Sequence, residues 1–414
     1  MKQHNYFYYG IIFYCFVLMF FIFAIIKSLH SLFLVPVTES LQMGRSEFSL
    51  IFTISGLSVA VALPIISKLL RKYSAKLIIS CSIFMVAGGF SAYALASKSW
   101  HFYLIALVVG AGTAGCTNMV ASLLINNWFE DRKGFALGVA FTGSGFGAAL
   151  ISPIMAKLLA EYGWQFSYVF WGSVIGIICL PLTWLLAYQK PAERGVLPYR
   201  QEQKATAVNQ TVSETGFLLQ DIKTKSFFWL YLAAMFFWSL ALGGVHIHIP
   251  AYLTDLGHSA SFVAFIYSAQ AVCVIGGKLV LGVIFDEKGS RAGILFMAST
   301  FLLALICLFL SRQSVLAILF ALLYGCGSTF TSVGIPYLAG SFFGQRDYAE
   351  ILSIVNMVYV LGAALGPFIS GKMYDITGGY VLIWKIELVL FALSVIVLLC
   401  LKNYLEKQSQ KGLK

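Results

Sequence analysis

Residues 189–225 read QKPAERGVLPYRQEQKATAVNQTVSETGFLLQDIKTK, a polar, charged stretch too poor in apolar residues to bury. It stands in a chain that is apolar almost everywhere else. Outward from it in both directions, apolar runs recur at the length, about 20 residues, that lets a helix cross a hydrocarbon core. Over all 414 residues, 59% are hydrophobic, 15% aromatic and 11% charged, with mean hydropathy +0.85. Soluble domains carry about 25% charged residues, so the composition excludes that class and predicts a multi-pass membrane protein.

Six runs precede the polar stretch: Tyr8–Val37, Phe48–Ile66, Leu77–Ala96, Phe102–Ile125, Phe135–Leu159 and Phe166–Tyr188. Six follow it: Phe228–Ala251, Phe262–Phe285, Ala292–Leu310, Val315–Phe342, Ile351–Ser370 and Tyr380–Leu401. The expected fold class is all-α integral membrane, twelve transmembrane helices in two pseudo-symmetric six-helix bundles. The bundles are 1–188 and 226–402, joined by a cytoplasmic linker, 189–225, and followed by a cytoplasmic tail, 403–414.

Basic residues set the orientation, because Lys and Arg near span ends are retained in the cytoplasm. An inside N-terminus places Lys68, Arg71, Lys72, Lys76, Arg132, Lys133, Lys288, Arg291, Arg346, Lys402 and the linker's basic residues in the cytoplasm. It leaves only Arg45, Lys98, Lys157, Arg312 and Lys372 outside, so both termini are expected to be cytoplasmic. The net charge of +11 then follows from loops that face an anionic leaflet, and nucleic acid is not an expected partner. The first apolar run is too long for the core of a cleavable signal and is expected to remain as span one. The cysteines lie in or beside apolar spans without metal or redox spacing, and no phosphate loop, nucleophile elbow or His/Cys/Asp cluster occurs. An enzyme, a cofactor and a metal are therefore not expected.

Two motifs carry a family resemblance. GVIFDEKGSR, with Gly282, Asp286, Gly289 and Arg291, resembles the loop after the second helix of each half in the major facilitator superfamily; Glu287 and Ser290 stand where that pattern usually has basic residues. The first-half counterpart, PIISKLLRKYSAK from Pro64, has Lys68 where the acid is usual. NWFEDRKGFALGVAFTGSGFG, Asn127–Gly147, with Arg132 in its charged turn, resembles the monocarboxylate transporter and oxalate/formate exchanger branch. The resemblance implies alternating access, with Gly282, Asp286, Gly289, Arg291 and Arg132 as gating residues. Gly134, Gly138, Gly143 and Gly147 in span five, and Gly362, Gly366, Pro367 and Gly371 in span eleven, have the small-residue spacing that lets helices approach closely and two halves rock around a central site. Plain tight packing is the alternative for each glycine.

Two lysines interrupt membrane-length runs. In FAIIKSLHSLF, Lys27 lies about ten residues, roughly 14 Å, from the outer end of span one. Helical spacing puts Phe20, Phe23, Lys27, His30 and Leu34 on one face, so Lys27 and His30 are expected to share a space. In span eight Lys278 shares a face with Tyr267, Ala271 and Val274, about 12 Å from Asp286. A lysine at such depth costs about 2.5 to 3.5 kcal/mol on insertion scales and usually marks a pathway; snorkelling or a structural contact is the alternative. The resemblance implies that the helix-eight cation binds a substrate carboxylate. It also places an acid, in some members, where this chain has Val274.

Of His246 and His248, two apart on a helix, at most one lines a cavity; the resemblance favours His248. Asn118, Tyr337, Asn356 and Tyr359 are candidate hydrogen-bond donors. Lys385 and Glu387 are expected to be interface or pairing residues of a peripheral span.

These features predict a transporter of a small organic anion, a monocarboxylate such as lactate, pyruvate or formate. It would lie in the plasma membrane (the inner membrane if bacterial), with the lipid bilayer and a proton or exchanged anion as further partners, and act as a monomer. Lys27 or a histidine is the expected proton carrier. Export of a larger anionic metabolite or drug, and substrate sensing without transport, remain open.

Overall fold

The computed structural model describes residues 5–199 and 216–412. Among them all regular structure is helical, with two isolated backbone bridges besides. That is the form a bilayer demands of an open chain, since each backbone N–H and C=O must be satisfied within its own segment. Among the described residues, ten helical stretches are long and apolar enough to span a membrane. Two of them are far longer than one crossing. The helix α7, Lys133–Leu186, is interrupted only at Gly163 (φ +78°), and α10, Ala260–Phe309, only at Gly289 (φ +74°). The sequence predicts connections of several residues there; one glycine breaks the helix instead, because a positive φ meets no Cβ clash.

The chain divides into two compact units between residues 213 and 214. Unit one holds α1 (Asn5–Leu18), a π-helix (Met19–Leu29), a 3₁₀ turn (His30–Phe33), α2 (Leu34–Leu41), α3 (Arg45–Lys72), α4 (Ala75–Ala92), α5 (Ser99–Ala114), α6 (Asn118–Trp128) and α7. Unit two holds α8 (Leu219–Ile222), α9 (Ser226–Asp255), α10, α11 (Ser314–Gly327), α12 (Gly334–Phe343), α13 (Tyr348–Thr377) and α14 (Val381–Gly412).

Four expected spans are not continuous α-helices: span three ends in a 3₁₀ turn, Tyr93–Leu95, and the other three change within. Span one changes from α to π to 3₁₀ and back. Span four breaks between α5 and α6, and span ten between α11 and α12. At these breaks hydroxyl and thiol side chains turn back onto the preceding carbonyls: Cys116 to Gly112 and Thr117 to Thr113 in one, Ser328 to Gly325, Thr329 to Cys326 and Ser332 to Thr329 in the other. Such local bonds compete with the helical ladder, and the clusters GTAGCT and GCGSTFTS are where the sequence supplies them.

The glycines of both units make the same seam. A Cβ on Gly143 or Gly147 would run into the carbonyl oxygens of Phe16 and Phe20. One on Gly362 or Gly366 would run into those of Phe236 and Leu240. Each unit thus brings two backbones together along a face of glycines spaced four apart. The described flanks of the linker dock on these units separately: Tyr199 N–H donates to Trp128 O (2.9 Å), and Phe217 N–H to Phe343 O (2.9 Å). Residues 200–215 of the linker, and 413–414 of the tail, lie outside the described residues.

Candidate functional site

In unit one, Lys27 sits in the π-helical stretch with its side chain exposed. Among the described residues it has no hydrogen-bond or ion-pair partner. The expected common space with His30 is not found. A π-helix winds less per residue than an α-helix, and the 3₁₀ turn that follows winds more, so the three-residue spacing no longer sets a shared face. His30 is 3% exposed, caged by Phe33, Phe48, Phe52, Phe90 and Tyr93, and hydrogen-bonded through Nε2 to Tyr168 Oη at 2.9 Å. Asn118 is the first residue of α6, directly after the break. Its Oδ1 is buried without a hydrogen-bond partner, which in a native fold calls for a functional or hydration role.

In unit two, Lys278 is 5% exposed. Its neighbour Gly277 lets Cys326 and Thr329, at the break of span ten, approach α10 closely. Gln270, eight residues earlier and on the same face of α10, is also 5% exposed, with Oε1 unpartnered. Its Nε2 lies 3.5 Å from His246 Nδ1, and the His246 ring stacks over Tyr324 at 6.1 Å. From sequence, His246 stands behind His248, and Gln270, a lone glutamine two turns before the lysine, carries the one signal left unused. His248 is differently placed. Pro367 O only accepts, so Nε2 donates to it (3.0 Å) and Nδ1 accepts from Tyr380 Oη (3.2 Å). Both ring nitrogens are committed to the helix-packing face, while the ring of His246 is exposed.

Tyr337 donates from its hydroxyl to Phe285 O (2.7 Å) and stacks on the Phe285 ring. Tyr359 is buried at 8% beside Phe330, and Asn356 is half-buried. Of the residues expected to gate, Gly282 is buried, Asp286 half-buried and Arg291 exposed, while Ser290 bonds Ser341 across to α12 (2.6 Å). Arg132 is exposed and takes a left-handed conformation (φ +56°) at the start of α7. Pro367 serves as the acceptor for His248. Of the two alternatives for Glu387, the structure shows an interface position: the residue is wholly buried against Gly244 and Ser370, whose Oγ is its hydrogen-bond partner, whereas Lys385 is exposed.

Chemically, each unit offers one ammonium in mid-helix beside a stretch of irregular backbone, with hydrogen-bonding side chains within a few turns. In membrane transporters, helix breaks at corresponding places in two repeats are where substrates are held. A family profile described as Major Facilitator Superfamily matches residues 16–367. The chain is 26% identical to an uncharacterized MFS-type transporter of Bacillus subtilis (strain 168), over 96% of each chain. It is 23% identical to monocarboxylate transporter 12 of Xenopus laevis, over 84% of this chain and 79% of that one. Among solved structures, the proton:xylose symporter XylE superposes with a TM-score of 0.68 at 14% identity, covering 97% of this chain and 96% of that one.

Proposed function

This chain belongs to the Major Facilitator Superfamily, and from that premise we propose that it carries a small organic anion, a monocarboxylate of the lactate, pyruvate or formate kind. It does so by alternating access, with a proton or in exchange for another anion. The single observation that carries this reading is Lys278, a 5% exposed cation in the middle of a membrane-length helix beside an interrupted one. An ammonium at that depth in a membrane-length helix usually marks a substrate pathway, and a carboxylate is its complementary ligand. Lys27 supports the reading from unit one, as an exposed mid-helix cation with no partner among the described residues. Asn118, Gln270 and His246 add hydrogen bonds for the carboxylate or an adjacent hydroxyl. Arg132, Asp286 and Arg291, at helix ends, act in the conformational change together with the glycine seams. Twelve spans, cytoplasmic termini and a cell-membrane location complete the proposal.

The test is uptake of labelled lactate, pyruvate, formate, acetate and oxalate into proteoliposomes, with and without an inward proton gradient, by the wild type and Lys278→Gln. The expected result is saturable uptake of one or more monocarboxylates that Lys278→Gln impairs. Uptake of no acid, or undiminished uptake by the variant, overturns the reading.

A further inference from the structure

Glu387 is the one acid of α14 whose side chain the fold closes off completely, at 0% exposure. Ser370 Oγ approaches its Oε1 at 2.7 Å, and Oε2 has no hydrogen-bond partner. Among the described residues it has no ion pair. The close fit is built by α9, where a Cβ on Gly244 would overlap both Glu387 Oε1 and Ser370 Oγ.

The Ser370 hydroxyl has one hydrogen and two acceptors, Glu387 Oε1 and its own Gly366 O at 3.0 Å. If Glu387 is ionised, Ser370 must give its hydrogen to Oε1, and Oε2 is left bare in an apolar interior. A buried charge without compensating donors is among the most costly arrangements a fold can hold. If a proton sits on Glu387, the carboxyl donates to Ser370 Oγ and Ser370 donates to Gly366 O, so every hydrogen has an acceptor.

Among the described residues, the groups that face this part of α14 from each packed element leave the acid without a cation. From α9 they are Tyr252 against Trp384, and His248, one turn beyond Gly244 and already bonded to Pro367 O and Tyr380. From α11 it is Tyr324, whose hydroxyl donates to Leu242 O. From α13 it is Tyr374 against Tyr380, and α10 presents Phe301 and Phe309.

We infer that Glu387, with Ser370, Gly244 and Gly366, forms a proton-binding site in unit two: the carboxylate takes one proton from water on one side of the membrane and returns it to water on the other. This deepens the transport reading by naming the coupling ion, and rests on it. It also moves the proton carrier from Lys27 or a histidine, as suggested by sequence, to an acid of a span expected to be peripheral.

Two measurements on the reconstituted full chain test the site separately from the substrate. Infrared spectroscopy during a pH titration should show the carbonyl band of a protonated carboxylic acid that is lost in Glu387→Gln and displaced in Ser370→Ala. In uptake, one proton per substrate across a one-unit pH difference sustains about tenfold accumulation of monocarboxylate. Glu387→Gln should retain substrate counterflow but accumulate none. If the wild type carries no acid, the monocarboxylate reading fails while the infrared titration still decides the site. A spectrum that Glu387→Gln leaves unchanged, or gradient-driven accumulation equal to the wild type's, overturns the proton site. Should Glu387→Gln fail to fold, Ser370→Ala decides alone: an undisplaced band overturns the proposal.

Discussion

Gly366→Ala puts the helix seam of unit two under direct strain. A Cβ at 366 would overlap Leu240 O and come to 2.7 Å from Gly244 N and 3.2 Å from the Leu240 carbonyl carbon. All three obstructing atoms are backbone, so no rotamer change relieves them, and α9 and α13 must part by roughly 1 Å to regain ordinary contact. Overpacking of this kind costs about 1–3 kcal/mol. Gly276→Ala is the matched control, a helical glycine of the same unit with nothing within 4 Å of its would-be Cβ. Both substitutions gain up to about 1 kcal/mol by removing glycine's chain entropy, so their difference isolates the overlap. Unfolding in mixed micelles, followed by the fluorescence of buried tryptophans such as Trp238 and Trp384, should place Gly366→Ala about 1–3 kcal/mol below Gly276→Ala. Equal stabilities would refute the seam as a rigid backbone contact.

Three further outcomes are expected. Lys278→Gln removes a charge-assisted contact of about 1.5–3 kcal/mol and should raise the KM for a monocarboxylate by about 10- to 150-fold in liposome uptake. His248→Ala removes the ring that joins Pro367 O to Tyr380 Oη, a cost of about 0.5–1.5 kcal/mol per hydrogen bond in the same unfolding assay, with the KM of uptake unchanged. Asn118→Leu discards an amide oxygen that already lacks a partner; stability should hold or rise while transport falls, and loss of stability with normal transport would contradict a functional role.

The fold was legible because burial in lipid leaves so few choices: long apolar runs around one polar stretch are enough to predict an all-helical membrane protein. The glycine spacing in spans five and eleven likewise pointed to the seams that Gly143, Gly147, Gly362 and Gly366 make. The site was less legible, because periodicity arguments assume one helix type throughout. Lys27 and His30 share a face on an α-helix, but residues 19–33 are π and then 3₁₀, and His30 turns into an aromatic cage. For His246 and His248, spacing correctly separated the two rings; their orientation depended on partners, Tyr380 and Pro367, more than 100 residues away in the chain. Glu387 was read by its place in a peripheral span, whereas its environment is set by a serine and a glycine on two other helices. Hydrogen-bond closure of that kind has no signature along one segment.

The seams also bear on how this sequence can drift. At Gly143, Gly147 and Gly366 the nearest opposing atom is a carbonyl oxygen, and at Gly362 one stands beside Ser239 Oγ; every residue possesses a carbonyl, so no second substitution at Phe16, Phe20, Phe236 or Leu240 can compensate for a side chain added opposite. This contact sets no demand on the side chains of those four positions, while it forbids one on the glycines facing them. Saturation mutagenesis read out by growth or uptake should therefore find sharply unequal tolerance on the two sides of each contact, with no rescuing partner for the intolerant side.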